Sequence, residues 1–296
     1  MIARKFIVVV FAAMLGAAAP SAFPVTETRS FDQFSIRSLP ASKPDLVAHY
    51  AAGSPHQVGE LRLPKGKGPF PVAMLVHGGC WTDGMGSTRD MAALATWLAA
   101  RGVATWNVDY RALGAGGGWT GTFTDWAGAL AHLNALAKKY PLDLARVSVI
   151  GHSAGATAAG WLAGNGKGEI KLAPDLPRVR SAIILDGPSS LNQFVGPDIL
   201  VCGEPVIVKL MGGNPDRVPA RYAMVDPARN EPRTRQFLMV TGVLPYDTRF
   251  VPALKANGIM AQQITLDTES HFNLLAPGTR DFVTAAPALL RMTGGR

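Results

Sequence analysis

The chain has 296 residues, 48% of them hydrophobic and 17% charged. That balance suits one large domain or two small ones with a sizeable core, and excludes a disordered polar chain. The formal net charge of +8 comes from basic residues scattered along the chain, which argues against nucleic acid as a partner.

Arg4-Lys5, the apolar run Phe6 to Ala19 and the small-residue exit Ala17 to Ala22 describe a secretory signal peptide over residues 1–22. The run is shorter than the ~20 residues needed to span a bilayer. A periplasmic or secreted protein without stable membrane insertion is therefore expected. Residues 23–55 are rich in turn residues and read as an N-terminal extension wrapping a core, with the main domain over 56–296. His56 to Leu63 reads as an edge strand and Pro71 to Val76 as a buried strand of a parallel sheet. The latter runs into His77-Gly78-Gly79-Cys80-Trp81. Met91 to Arg101 has helical spacing and stops at Gly102. Val103 to Val108 is the next strand, and a helix carrying Ala129, Leu130, Leu133 and Leu136 follows and ends at Pro141.

Val147 to Ile150 leads into Gly151-His152-Ser153-Ala154-Gly155 and then into a small-residue helix. Strand, sharp turn and helix with a serine at the apex describe a nucleophile elbow. Arg180 to Leu185 is a strand that leaves through Asp186-Gly187-Pro188. Residues 188–232 are irregular and rich in Pro and Gly, with Ile199 to Met211 as an apolar insert. An unstructured stretch this long is expected to cap a site, so it reads as a lid. Gln236 to Val240 and Gln262 to Leu266 are strands; Phe250 to Lys255 and Phe282 to Met292 are helices. The alternation specifies an α/β fold, a mostly parallel sheet covered by helices on both faces.

A serine nucleophile needs a base, itself oriented by a carboxylate. His271 is the one histidine C-terminal to Ser153, on the loop after the last strand, and is the expected general base. The acid is expected on the loop after Gln236 to Val240, whose one carboxylate is Asp247; Asp267 and Glu269, near His271 in sequence, compete. Backbone N–H groups of Gly79, Cys80 and Ala154 are the expected oxyanion donors, with His77 bracing their loop. Cys80 and Cys202 allow a disulfide in an exported chain. They are expected as free thiols, because a bridge would restrain the oxyanion loop.

His77-Gly78-Gly79-Cys80-Trp81, Asn107 to Arg111, Gly151 to Gly155 and His271-Phe272 occur in the order of the α/β-hydrolase superfamily. The chain resembles its esterase branch, related to hormone-sensitive lipase, feruloyl-esterase-like domains and kynurenine formamidase. The resemblance implies an α/β-hydrolase fold and hydrolysis of acyl esters or amides. It also implies that Asp109 and Arg111 form a structural pair at the sheet end. Two departures stand out. Cys80 occupies a position usually held by glycine or an aromatic residue, and the usual Gly-x-x-Asp of the acid loop is replaced by Gly242 to Pro245, with Asp247 two residues later.

A serine hydrolase acting on a carboxylic ester with a short acyl or small aromatic group is the leading expectation, and its partner is a small-molecule ester. An amidase, formamidase or peptidase would use the same residues, and a non-catalytic binding protein on the same scaffold is the reading from another class. No cofactor is implied, and no His or Cys pair has zinc-like spacing.

Overall fold

The computed structural model describes residues 30–164, 168–170, 173–229 and 233–296. The expected signal peptide and residues 23–29 of the extension lie outside them.

Eight strands form one sheet: β1 (Leu46–His49), β2 (Val58–Arg62), β3 (Phe70–Val76), β4 (Ala104–Val108), β5 (Leu142–His152), β6 (Val179–Leu185), β7 (Gln236–Thr241) and β8 (Met260–Thr265). Their order is β1-β2-β4-β3-β5-β6-β7-β8. β1, β2 and β4 pair antiparallel, whereas β4, β3, β5, β6, β7 and β8 are parallel neighbours. Every residue of β3 is buried, because successive side chains enter two different cores. Val72, Met74 and Val76 pack on one face with α3 (Gly121–Ala137) and α4 (Ala156–Leu162). Ala73 and Leu75 pack on the other with α2 (Thr88–Ala99) and α9 (Arg280–Thr293). The first face continues at the β8 end under α8 (Phe250–Ala256), through Phe250 and Leu254. The doubly covered parallel sheet expected from the sequence is the fold observed.

The extension is more regular than expected. It forms α1 (Gln33–Ile36), capped by Asp32 and Ser35, and β1, which pairs with β2 from Leu46↔Leu61 to His49↔Val58. Phe31 and Ile36 are buried in the α2–α9 core. The Phe31 N–H donates to Asn273 Oδ1, and Ser270 Oγ donates to the Phe31 carbonyl, at 2.9 and 2.8 Å. The extension thereby holds the loop that carries His271.

Residues 188–229, expected to be irregular, contain three short helices, α5 (Asp198–Cys202), α6 (Val206–Met211) and α7 (Pro219–Val225). Their glycines mark stops rather than open loops: Gly203 and Gly212 end α5 and α6 in the left-handed conformation. The expectation of free thiols is also corrected, since Cys80 and Cys202 form a disulfide with Cα atoms 5.8 Å apart. The cap segment and the loop after β3 face each other across the same pocket, which brings the two sulfurs together.

Gly59, on β2, has no room for a side chain. A Cβ there would stand 2.5 Å from the Trp106 ring, and Trp106 is fully buried with its indole N–H on the Ala129 carbonyl. Gly59→Ala is expected to cost about 1–3 kcal/mol through overpacking, read as a lower urea midpoint at unchanged slope.

Candidate active site

Ser153 stands at the end of β5, on a short 3₁₀ turn, Ser153–Gly155, that runs into α4. Its φ is +52°, a left-handed conformation that a serine adopts only under constraint. The flanking glycines supply that constraint by close approach. A Cβ on Gly151 would lie 2.0 Å from the Gly155 carbonyl oxygen, and one on Gly155 would lie 2.2 Å from that of Val76. The elbow is thus wedged between its own turn and the end of β3.

Among the described residues, four non-glycine residues have positive φ: Cys80 (+53°), Trp81 (+52°), Ser153 (+52°) and Asp186 (+41°). Three of them, Cys80, Trp81 and Ser153, line one pocket; Asp186 follows β6. Each such conformation costs on the order of 1–3 kcal/mol and persists where surrounding packing over-determines it.

His271 Nδ1 lies 2.7 Å from Asp186 Oδ2. Asp186 is an acceptor at this distance, so Nδ1 is the nitrogen that donates to it. Asp186 follows β6, and its side chain is 1% exposed. Its carboxylate also accepts from the backbone N–H groups of Gly242, Val243 and Leu244 at 2.8, 3.0 and 3.1 Å. Burial alone would raise its pKa. The hydrogen bond and charge of His271, with the Gly242 and Val243 amides, outweigh burial and hold it below the usual carboxylate range.

Asp247, the expected partner of His271, is not brought to it; the carboxylate on Nδ1 is that of Asp186. The loop after β7 presents backbone amides to Asp186 instead of a carboxylate to His271. Asp247 comes later, where it accepts from the Arg249 N–H and Nε at 2.9 and 3.0 Å and from Gln193 Nε2. Asp267 and Glu269 make no contact with His271 among the described hydrogen bonds; the Asp267 carbonyl is taken by Arg280. A signal for Asp186 was present in the sequence. Like Ser153, it follows a β-branched apolar run, at the carboxyl end of a strand where parallel sheets place their ligand-binding groups.

His152, for which the sequence carries no role signal, is buried beside this pair. Its Nε2–H donates to the His271 carbonyl at 2.9 Å, and its ring lies 4.5 Å from that of His271. Burial, reinforced by His271, pushes its pKa down to about 3. His152 is therefore a neutral donor at ordinary pH, which adds no positive charge next to His271. Among the described residues, the Ser153 hydroxyl has no hydrogen bond to His271, a contact that typically tightens when substrate binds.

The loop after β3 comes against the serine: a Cβ on Gly78 would lie 2.7 Å from Ser153 Cβ. His77 holds this loop, with Nδ1 2.8 Å from the Gly78 carbonyl and Nε2 3.0 Å from Asp109 Oδ1. Tyr110 stacks on the His77 ring at 4.6 Å and donates to its carbonyl. The implied Asp109–Arg111 pair is corrected too. Asp109 serves His77 and His56, while Arg111 forms a two-pronged bridge to Asp125 at 2.9 and 2.7 Å.

Ser153 opens into a small, tight pocket lined by Cys80, Ala154, Phe194, Cys202 and Leu244 among others. Its one carboxylate, Asp198, is occupied by the N–H groups of Gly196 and Ile207, so the wall is effectively apolar. Among the described residues, no group of three or more His, Cys, Asp or Glu is placed to hold a metal ion.

The BD-FAE family model matches residues 60–229. The chain belongs to this family of esterases with the α/β-hydrolase fold. Esterase B from Lactobacillus Rhamnosis is similar in structure, with a TM-score of 0.69 at 16% identity, covering 88% of this chain and 89% of that one. Thermogutta terrifontis esterase 2, phosphonylated by sarin, has a TM-score of 0.66 at 17% identity, covering 85% and 96%. A bifunctional GH43-CE protein from Bacteroides eggerthii has a TM-score of 0.67 at 18% identity over 84% of this chain, and the match spans 38% of that longer protein. No curated protein matches the chain.

The Asp186 pKa is lower in the folded state than in the unfolded chain. Its ionised form therefore contributes stability that is present above the unfolded value of about 3.9 and lost as pH falls through the folded value. The urea-midpoint difference between wild type and Asp186→Asn is expected to be smaller at about pH 2.5 than at about pH 5. A difference that persists undiminished would show that the folded carboxyl is not ionised.

Proposed function

We propose that the protein is a serine carboxylesterase that works through an acyl-enzyme. The observation that carries this reading is the Asp186–His271 pair beside the strained Ser153. Ser153 Oγ attacks the ester carbonyl carbon while its proton passes to His271 Nε2. The carbonyl electrons collapse back, the C–O bond to the leaving alcohol breaks, and His271 returns the proton to that oxygen. Water then repeats the sequence on the acyl-serine, releasing the acid. Asp186 holds the His271 tautomer and balances the imidazolium that forms. Backbone N–H groups of Gly79, Cys80 and Ala154 receive the developing oxyanion, each such donor contributing roughly 3 kcal/mol.

The small apolar pocket supports a short acyl or small aromatic group as the part of the substrate held beside the serine. Family membership supports ester hydrolysis. So do the similar esterases, one of them esterase B inhibited by a tributyrin phosphonate. Export to the periplasm or outside the cell is part of the same proposal. The Cys80–Cys202 bridge supports it, because such bonds persist in oxidising compartments.

The test is labelling by a fluorophosphonate together with turnover of p-nitrophenyl acetate. Ser153→Ala and His271→Ala are expected to abolish turnover, and Ser153→Ala to abolish labelling. Asp186→Asn is expected to lower kcat by about 10³–10⁴-fold, while Asp247→Asn stays within about twofold, its carboxylate being engaged elsewhere. Labelling that survives Ser153→Ala, or an Asp247→Asn loss larger than that of Asp186→Asn, would overturn the assignment.

A further inference from the structure

We propose that the Cys80–Cys202 disulfide is a specificity-determining element: it clamps a cap helix over Ser153 and so limits the size of the acyl group. The proposal rests on the esterase reading and adds to it what sets the acyl range.

The bond joins two parts of the chain that are 122 residues apart in sequence and meet at the mouth of the serine. Cys80 follows Gly79 in the loop after β3, and Cys202 ends α5 in the cap. Both cysteines line the pocket that Ser153 and Ala154 enter, and Val201 of the same helix lines it as well. The bridge is therefore part of the wall a bound acyl chain would meet.

Beyond its first residue, α5 has little else to hold it there. The helix has only five residues, too few to be stable by backbone hydrogen bonding alone. Ile199, Leu200 and Val201 are 47%, 90% and 43% exposed, so burial anchors it weakly. At its start, Asp198 binds the Gly196 and Ile207 amides, which ties that end to α6, whose Val206, Ile207, Leu210 and Met211 are buried in the body of the domain. Its far end is fixed to the body by the Cys80 sulfur. Without that bond the wall at Val201 and Cys202 is free to swing outward, and the pocket lengthens toward solvent.

The chemical consequence concerns selection between substrates. A hydrophobic pocket discriminates by about 10–200-fold for each methylene it cannot accommodate, and only a wall that resists displacement keeps that discrimination. The same bond also restrains Cys80 at φ +53°, next to the proposed oxyanion amides. Opening it is therefore expected to lower kcat on every ester as well as to change the preference among them.

The experiment first labels oxidised wild type with a fluorophosphonate; no labelling would overturn the serine-esterase reading itself, separately from the present proposal. kcat/KM is then measured on p-nitrophenyl acetate, butyrate and octanoate for wild type, Cys202→Ser and Cys80→Ser/Cys202→Ser. The same measurement is made on wild type treated with a phosphine, which with one water takes the bridge to two thiols and is itself oxidised to the phosphine oxide, the water supplying the oxygen and both protons; mass spectrometry verifies the thiols. The acetate-to-octanoate ratio is expected to fall at least threefold in both variants and in reduced wild type, with the phosphine leaving Cys202→Ser unchanged. A fall of less than threefold in folded protein would overturn the proposal. If a variant loses its far-UV circular dichroism, the reduced wild type decides by the same ratio. Loss of fold there too would overturn the proposal, since the bridge would then maintain the domain rather than shape the pocket.

Discussion

The carboxylate of Asp186 ties the site together. It leaves the end of β6 and receives four donors, the His271 Nδ1–H and the amides of Gly242, Val243 and Leu244. One buried charge thus fixes three segments that are far apart in sequence: the β6 end, the loop after β7, and the loop before α9. A buried carboxylate with fewer partners would be protonated or displaced. With these partners it stays ionised, and it sets both the tautomer and the direction of His271. The parallel register of β6 on β7, in which Leu185 stands opposite Val240, brings the carboxylate level with its amide donors.

Other contacts extend this arrangement outward. His152 donates to the His271 carbonyl, so the residue before Ser153 and the loop of His271 share one hydrogen bond. The extension closes the same loop from the far side, through Phe31 on Ser270 and Asn273. On the opposite flank, His77, Asp109 and Tyr110 hold the glycine loop against Ser153. The positive-φ backbone at Cys80, Trp81, Ser153 and Asp186 is maintained by these supports together, and the strain falls where the backbone must turn sharply to expose its chemistry.

Much of the fold was legible, because its signals are local. The buried runs at Val72 to Val76 and Val147 to Ile150 read as parallel strands, and the period of Met91, Leu94 and Leu98 read as a helix. The elbow was legible for a steric reason: glycines at 151 and 155 are the only residues that fit where a Cβ would meet a carbonyl oxygen. The short cap helices were not legible. Their Pro and Gly content suggests loops, and what makes them helical is burial of Val206, Ile207, Leu210, Met211 and Tyr222 against the body of the domain.

The carboxylate and the cysteines mark the boundary between the two kinds of information. The sequence by itself determined the strand–turn–helix around Ser153, the single downstream histidine and the glycine loop, since each depends on neighbours a few residues away. Tertiary structure decided that Asp186 and not Asp247 meets His271, because the choice depends on which strand lies beside which and on where backbone amides point. It also decided that Cys80 and Cys202 are joined, because their separation in space depends on how the cap folds over the sheet. The serine at the apex of the elbow was written locally; the carboxylate on His271 and the wall of the pocket were set by packing across the sheet.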